Sequence, residues 1–393
     1  MTRFRFLCVA IIVPLAVGAV IAPVTAAEPF RFPEGKHGTG ELKYVNGLPV
    51  LTVAGTPEEI GEAVGMLALR PAQKMASYPE ELVRHFWLHP LWPTLVSAGE
   101  RMVLQFPPAY RRELEAMARV SGVRRQKLVA GNTLFDLKKL VACSALLVEA
   151  RRSGTGGPLL GRNLDYPSLG YAHEYSLVTV CRPKGARHAF ASVGFPGLIG
   201  CLSGINDAGL SLAILEVYQV RIPLAWLDTS GTPYALCYRR LLEECSTIAE
   251  AKTLLESMKR TTTTNLVLAD RSGLAVFEVT PDRVVVRRAE NGTCICTNHY
   301  CMDPLRPLLP IDYFQTFERF QILKRDAACR ETIGLADLHR SLHAVCVSDD
   351  TLQTMIFEPA TLRLHLAIGA CPSSAAAMKT LELRPLLLPA TTR

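Results

Sequence analysis

Two textures of apolar and polar positions succeed one another along this chain, and the change comes at Cys143. Residues 28–142 read as mostly helical after one short strand, Pro49 to Val53. Thr56-Pro57-Glu58-Glu59 has the form of a capping box with proline at the first helical position, which predicts a helix to about Arg70. Apolar spacing predicts further helices near 79–105, 109–121 and 124–140, broken by Pro107-Pro108 and Ser121-Gly122. From Cys143 onward strand patterns take over. Ser144 to Ala150 and Leu159 to Asn163 read as two strands joined by the turn segment Ser153-Gly154-Thr155-Gly156-Gly157. Strands follow at 176–182, 188–194 and 209–217, a helical stretch at 234–258, and strands at 265–270, 274–280, 283–288 and 293–297. A helical stretch near 312–343 and two strands near 354–358 and 363–368 complete the pattern. Strand runs alternating with paired helices predict a layered α+β fold rather than a parallel βαβ one. The only boundary is 142/143, and it need not separate independently folding domains.

Composition narrows the class. The chain has 393 residues, 49% hydrophobic and 20% charged, which excludes a disordered or fibrous protein. Its start reads as an address: Arg3 and Arg5, an apolar run from Leu7 to Ile21, then small residues through Ala26, the form of a cleavable export signal over 1–26. A mature protein without a membrane span, periplasmic or extracellular, is expected. Removing that segment takes two arginines from the 43 basic residues and nothing from the 36 acidic ones, so the net charge falls from +7 to +5. The excess is scattered, without the basic clusters of a nucleic-acid groove. Of twelve cysteines, Cys8 would leave with the signal. Eleven would remain, an odd number that leaves one thiol free even if the rest pair.

Several chemistries are missing. There is no G-x-S-x-G elbow, H-E-x-x-H or P-loop. Cys294, Cys296, His299 and Cys301 are four potential ligands, but Cys294 and Cys296 lie two apart in an expected strand, and zinc spacing is not met. No metal or cofactor is expected. What remains is Ala142-Cys143-Ser144-Ala145 with Gly161-Arg162-Asn163-Leu164-Asp165-Tyr166, a cysteine opening one strand and an Arg/Asp pair ending the next. If the bond before Cys143 breaks, the new α-amine, with an unperturbed pKa of about 7.7–8.0, lies beside the thiol as a general base. Asp165 would hold that amine and Arg162 would favour the thiolate. Read from residue types alone, a cysteine at a strand start is usually a core residue, and Arg162–Asp165 could equally be a structural ion pair.

These motifs resemble the autoproteolytic N-terminal-nucleophile cysteine hydrolases and acyltransferases of the isopenicillin-N acyltransferase type, and more distantly bile salt hydrolase, penicillin V acylase and acid ceramidase. The likeness runs through residues 50–61, Glu113 to Ala118, Cys143-Ser144-Ala145, Gly161 to Tyr166, Gly204 to Leu210 and Cys296-Thr297-Asn298-His299-Tyr300, with a fainter match through Gly369. It implies a four-layer αββα sandwich and self-cleavage between Ala142 and Cys143 into a mostly helical chain 27–142 and a catalytic chain 143–393. It also implies Cys143 as nucleophile, Asp165 as partner of its amine, Arg162 in the arginine position and Asn298 as oxyanion donor, with His299 as that donor's neighbour. Asn265 reads as a turn or strand-end residue. Two departures stand out. The arginine expected late in the chain is replaced by Ser348-Asp349-Asp350-Thr351, and Glu216 ends the strand after Gly209-Leu210, where the bile salt group has Asn or Tyr. The expected activity is cleavage of a small N-acyl amide through a thioester on Cys143, or transfer of that acyl group to an amine. The competing reading is a non-enzymatic envelope or secreted binding protein on an inactive version of the fold.

Overall fold

In the computed structural model, residues 28–137, 142–219, 221 and 227–388 are described. The expected export signal and residues 138–141 ahead of the expected cleavage point lie outside them. From Arg31 onward the chain is one compact unit.

The N-terminal segment contributes more strand than its pattern suggests. A hairpin of β1 (Gly35–His37) and β2 (Gly40–Val45) leads into β3 (Leu48–Gly55). The capping box then forms as read: Glu59 N–H donates to Thr56 Oγ1 at 3.3 Å, and Thr56 N–H to Glu59 Oε2 at 2.7 Å. It opens α1 (Pro57–Val64), which continues through a wide turn, Gly65–Leu69. The helix expected over 79–105 is broken into α2 (Tyr78–His85) and α3 (Trp92–Val103). Trp87 between them takes a φ of 60°, and Pro90 and Pro93 cannot continue the first helix's hydrogen bonds. Then come α4 (Pro108–Ser121) and α5 (Arg125–Leu137).

The second half supplies β4 (Ala142–Val148), β5 (Leu159–Asp165), β6 (Leu177–Pro183), β7 (Phe190–Gly194), β8 (Ser203–Asn206) and β9 (Ser211–Glu216). Helices α6 (Tyr234–Glu244) and α7 (Ile248–Ser257) occupy the expected stretch 234–258, split where Thr247 caps the second by accepting Glu250 N–H. Strands β10 (Thr264–Ala269), β11 (Leu274–Val279), β12 (Val284–Arg287) and β13 (Thr293–Cys296) follow. The stretch 312–343 resolves into α8 (Thr316–Ala328) and α9 (Leu335–His343). The chain closes with β14 (Thr351–Glu358), β15 (Arg363–Ala367), β16 (Lys379–Glu382) and the short α10 (Arg384–Leu387).

The strands form a ten-stranded sheet, β1-β2-β3-β6-β7-β8-β9-β10-β11-β12, and a six-stranded one, β13-β4-β5-β14-β15-β16. The two pack face to face through β4, β5 and β13 against β9, β10 and β11. Helices α1, α6 and α7 cover the larger sheet, and α8 and α9 the smaller. This is the four-layer αββα order that the motifs imply. Both β4 and β5 are buried along their whole length, because each has a sheet on one face and helices on the other. Leu146 and Val148 pack on Leu323, Leu338 and Leu342 of the helices. The alternate residues, Cys143 and Ala145, therefore face the space between the sheets.

Candidate active site

Adjacent strands bring the first three groups together. In the β4–β5 ladder Ala142 lies opposite Asp165 and Ala145 opposite Arg162. Cys143 is 1% exposed and Arg162 fully buried. The Arg162 guanidinium crosses between the sheets: Nη2 donates to Cys143 Sγ at 3.3 Å and to Ile214 O at 2.6 Å, and Nη1 donates to Ser203 Oγ at 2.9 Å. Burial pushes the Cys143 thiol up to about 12, with Arg162 pulling the other way and the charges of Asp165 and Glu216 adding to the rise. In this arrangement the thiol holds its proton at neutral pH.

Asp165 does not pair with Arg162. Its Oδ1 accepts from Thr351 Oγ1 at 2.6 Å, and its Oδ2 lies 3.8 Å from Arg319 Nη1 with no hydrogen-bond partner among the described residues. Burial raises its carboxyl above the usual range, outweighing Arg319, the Thr351 hydrogen bond and Arg162.

Asn298 arrives from the loop after β13, the edge strand beside β4. Its Oδ1 accepts the Cys143 backbone N–H at 2.9 Å and Arg319 Nη2–H at 2.8 Å, while its Nδ2 donates to Glu216 O at 2.9 Å. Two donors on one end and a carbonyl on the other fix the amide's orientation. The oxyanion role implied for Asn298 would use Nδ2; the end facing Cys143 here is the oxygen. His299 beside it bonds Thr297 and Thr316 through Nδ1 and stacks against Phe317. Burial lowers its pKa to about 4, so it is neutral, and neither bond reaches Cys143.

The arginine expected late in the chain is absent, and a different guanidinium lies beside Asp165. Thr351, at the head of β14, binds Asp165, and the guanidinium is that of Arg319 of α8. Arg319 Nη1 donates to Cys143 O at 2.7 Å, and its Nε donates to Phe314 O at 3.0 Å. The pattern reading missed it, although it stands with Thr316, Leu323 and Ala327 on the buried stripe of α8. A cation on such a stripe is itself a signal, because it must be paired to be buried.

A cleft of about 500 Å³ opens beside these groups, lined by Ala142, Asp165, Tyr166, Phe86, Leu169 and Phe314 among others. Among the described residues no group of three or more His, Cys, Asp or Glu is placed to hold a metal. None of their helices is long and apolar enough to cross a membrane.

The αββα sandwich has the layer order of the N-terminal-nucleophile hydrolase fold. Residues 152–370, more than half of the chain, match the family described as acyl-coenzyme A:6-aminopenicillanic acid acyl-transferase, and the chain belongs to that family. The match takes in Arg162, Asp165, Asn298 and Arg319, and begins after Cys143. No curated protein matches the chain. Among solved structures, a variant of conjugated bile acid hydrolase from Clostridium perfringens is 16% identical with a TM-score of 0.47, over 61% of this chain and 92% of that one. The Caenorhabditis elegans N-acylethanolamine-hydrolyzing acid amidase ortholog is 15% identical with a TM-score of 0.44, over 61% and 100%. Penicillin V acylase from Agrobacterium tumefaciens is 13% identical with a TM-score of 0.39, over 57% and 82%. These likenesses are too distant to bear on substrate.

Proposed function

We propose that the protein is an exported amidase or acyltransferase that cleaves itself between Ala142 and Cys143 and then works on small N-acyl amides through a thioester on Cys143. One observation carries the reading. The backbone nitrogen of Cys143 is already held by the oxygen of Asn298, and across the ladder from Ala142 stands a buried carboxylate oxygen, Asp165 Oδ2, without a hydrogen-bond partner among the described residues. A free α-amine at residue 143 would supply the donors that such an oxygen lacks.

Self-cleavage starts when Cys143 Sγ attacks the Ala142 carbonyl carbon. The C–N bond breaks, the nitrogen takes the thiol proton, and water hydrolyses the resulting thioester. This frees the Ala142 carboxylate and the Cys143 thiol. In turnover the α-amine takes the thiol proton, the sulfur attacks the substrate carbonyl, and the amine half leaves with that proton. Water or a second amine then receives the acyl group. Arg162, within hydrogen-bond distance of the sulfur, favours the thiolate. Tyr166, Phe86, Leu169 and Phe314 give the cleft an apolar wall suited to an acyl chain.

Intact-mass measurement under denaturing conditions tests this. Wild-type protein should give two pieces, 27–142 and 143–393, and Cys143→Ala one. Full amide turnover by an intact wild-type chain would refute the self-cleavage, and full turnover by Cys143→Ala the nucleophile.

A further inference from the structure

Asn265 and Glu278 are two fully buried polar side chains in the layer between the sheets, where aliphatic residues pack more cheaply. They lie directly opposite each other in the β10–β11 ladder. Both are spent on one loop. Asn265 Nδ2 donates to Thr297 O at 3.1 Å and to His299 O at 2.9 Å, the carbonyls on either side of Asn298. Glu278 accepts the Cys301 N–H at 2.8 Å through Oε1 and the Met302 N–H at 3.0 Å through Oε2. Arg287 lies 3.5 Å from Oε1. The Asn298 N–H itself goes to Thr316 Oγ1 at 2.8 Å. The backbone of 297–302 is thus held from the opposite sheet at four points, and the side chain in its middle receives the Cys143 nitrogen. Asn265 Oδ1 is buried with no hydrogen-bond partner among the described residues.

We propose that Asn265 and Glu278 are positioning residues: together they set the loop that carries Asn298 and, through Asn298, the place of the Cys143 nitrogen. The proposal rests on Cys143 as nucleophile for its kinetic consequence, though not for its geometric one. None of residues 297–302 lines the cleft at Ala142 and Asp165, so substrate binding there should survive their displacement. A shift of about 1 Å in a group that orients the reacting atoms costs on the order of 100-fold in rate.

Two measurements decide the matter. In the intact Cys143→Ala chain, hydrogen exchange followed by NMR reads the residue-143 amide directly. Asn265→Ala should lose protection there while residues 145–148 keep theirs, and unchanged protection would overturn the proposal whatever the enzyme does. Asn265→Leu, which fills the same space with apolar atoms, serves if the alanine variant fails to fold. In the active enzyme, Asn265→Ala and Glu278→Ala should lower kcat by about 100-fold with KM within about twofold. Glu278→Gln, which keeps an acceptor oxygen, should recover most of the loss. Adding Asn265→Ala to Asn298→Ala should cost little more than Asn298→Ala alone. Independent, multiplying losses would show a structural role that does not act through Asn298. Loss of turnover in Cys143→Ala checks the nucleophile separately, so the two readings fail apart.

Discussion

Removing the Arg319 cation should expose how the buried charge on Asp165 is tolerated. We consider Arg319→Met in a Cys143→Ala background, which keeps the protein one chain and its unfolding interpretable. At 3.8 Å and an effective dielectric constant of about 20, the attraction between the two charges is roughly 4 kcal/mol. Arg319 also gives charge-assisted hydrogen bonds to Cys143 O, Asn298 Oδ1 and Phe314 O. Breaking a buried pair from one side typically costs about 3–5 kcal/mol, because the remaining charge has no compensation. Asp165→Asn alone should cost less, since the Arg319 cation it leaves behind keeps its hydrogen bonds to Cys143 O, Asn298 Oδ1 and Phe314 O. In the double variant the uncompensated carboxylate is gone, and about 2–3 kcal/mol of the Arg319→Met loss should return. Urea unfolding of the four chains, followed by circular dichroism at pH 7.5, measures the cycle. Additivity within about 0.5 kcal/mol would refute the coupling and leave Arg319 as a packing element with three hydrogen bonds.

The remaining expectations follow from the same geometry. Arg162→Lys keeps a charge but cannot make the three contacts of the guanidinium fork, so amide turnover should fall about 100-fold or more with the fold intact; near-normal turnover would remove Arg162 from the chemistry. His299, at about 4 when folded and about 6.5 when unfolded, favours the fold in its neutral form. That contribution is complete above pH 6.5 and is lost as pH falls toward 4, by up to about 3 kcal/mol. His299→Gln in the uncleaved chain should therefore lose less stability between pH 7.5 and 4.5 than its parent, and equal losses would show that His299 does not titrate so. The same His299→Gln change should leave substantial amide turnover, and a dead variant would point to a thiol–imidazole enzyme instead.

Much of the site was legible in sequence because it lies on two short motifs in adjacent strands. Cys143, Arg162 and Asp165 need only the β4–β5 hairpin to meet, and the turn Ser153–Gly157 announces that hairpin. Asn298 required the resemblance, since β13 reaches β4 only through a ladder between chain-distant segments. Arg319 and Thr351 were not legible. One sits on a helix whose face is set by packing, the other at the head of a strand whose neighbour, β5, is 186 residues away. Asn265 was read as a turn or strand-end residue; it is the second residue of β10, and the pattern holds no sign of which loop lies over it. The hairpin β1–β2 escaped for a different reason: strands of three and six residues give too few alternations to read.

The parallel pairing of β3 with β6 has a consequence for handling the protein. Val50 to Gly55 are matched in register with Val178 to Pro183, and these are the only parallel neighbours in either sheet among the described strands. A cut before Cys143 would leave β1, β2 and β3 on one polypeptide and the remaining strands of the same sheet on the other. Neither product could be drawn off without unzipping a shared sheet in mid-course, and Arg239 of α6, 2.8 Å from Glu113 of α4, pins the same seam from outside. An affinity tag at the C-terminus would then retrieve both polypeptides in equal amounts, and only a denaturant would part them.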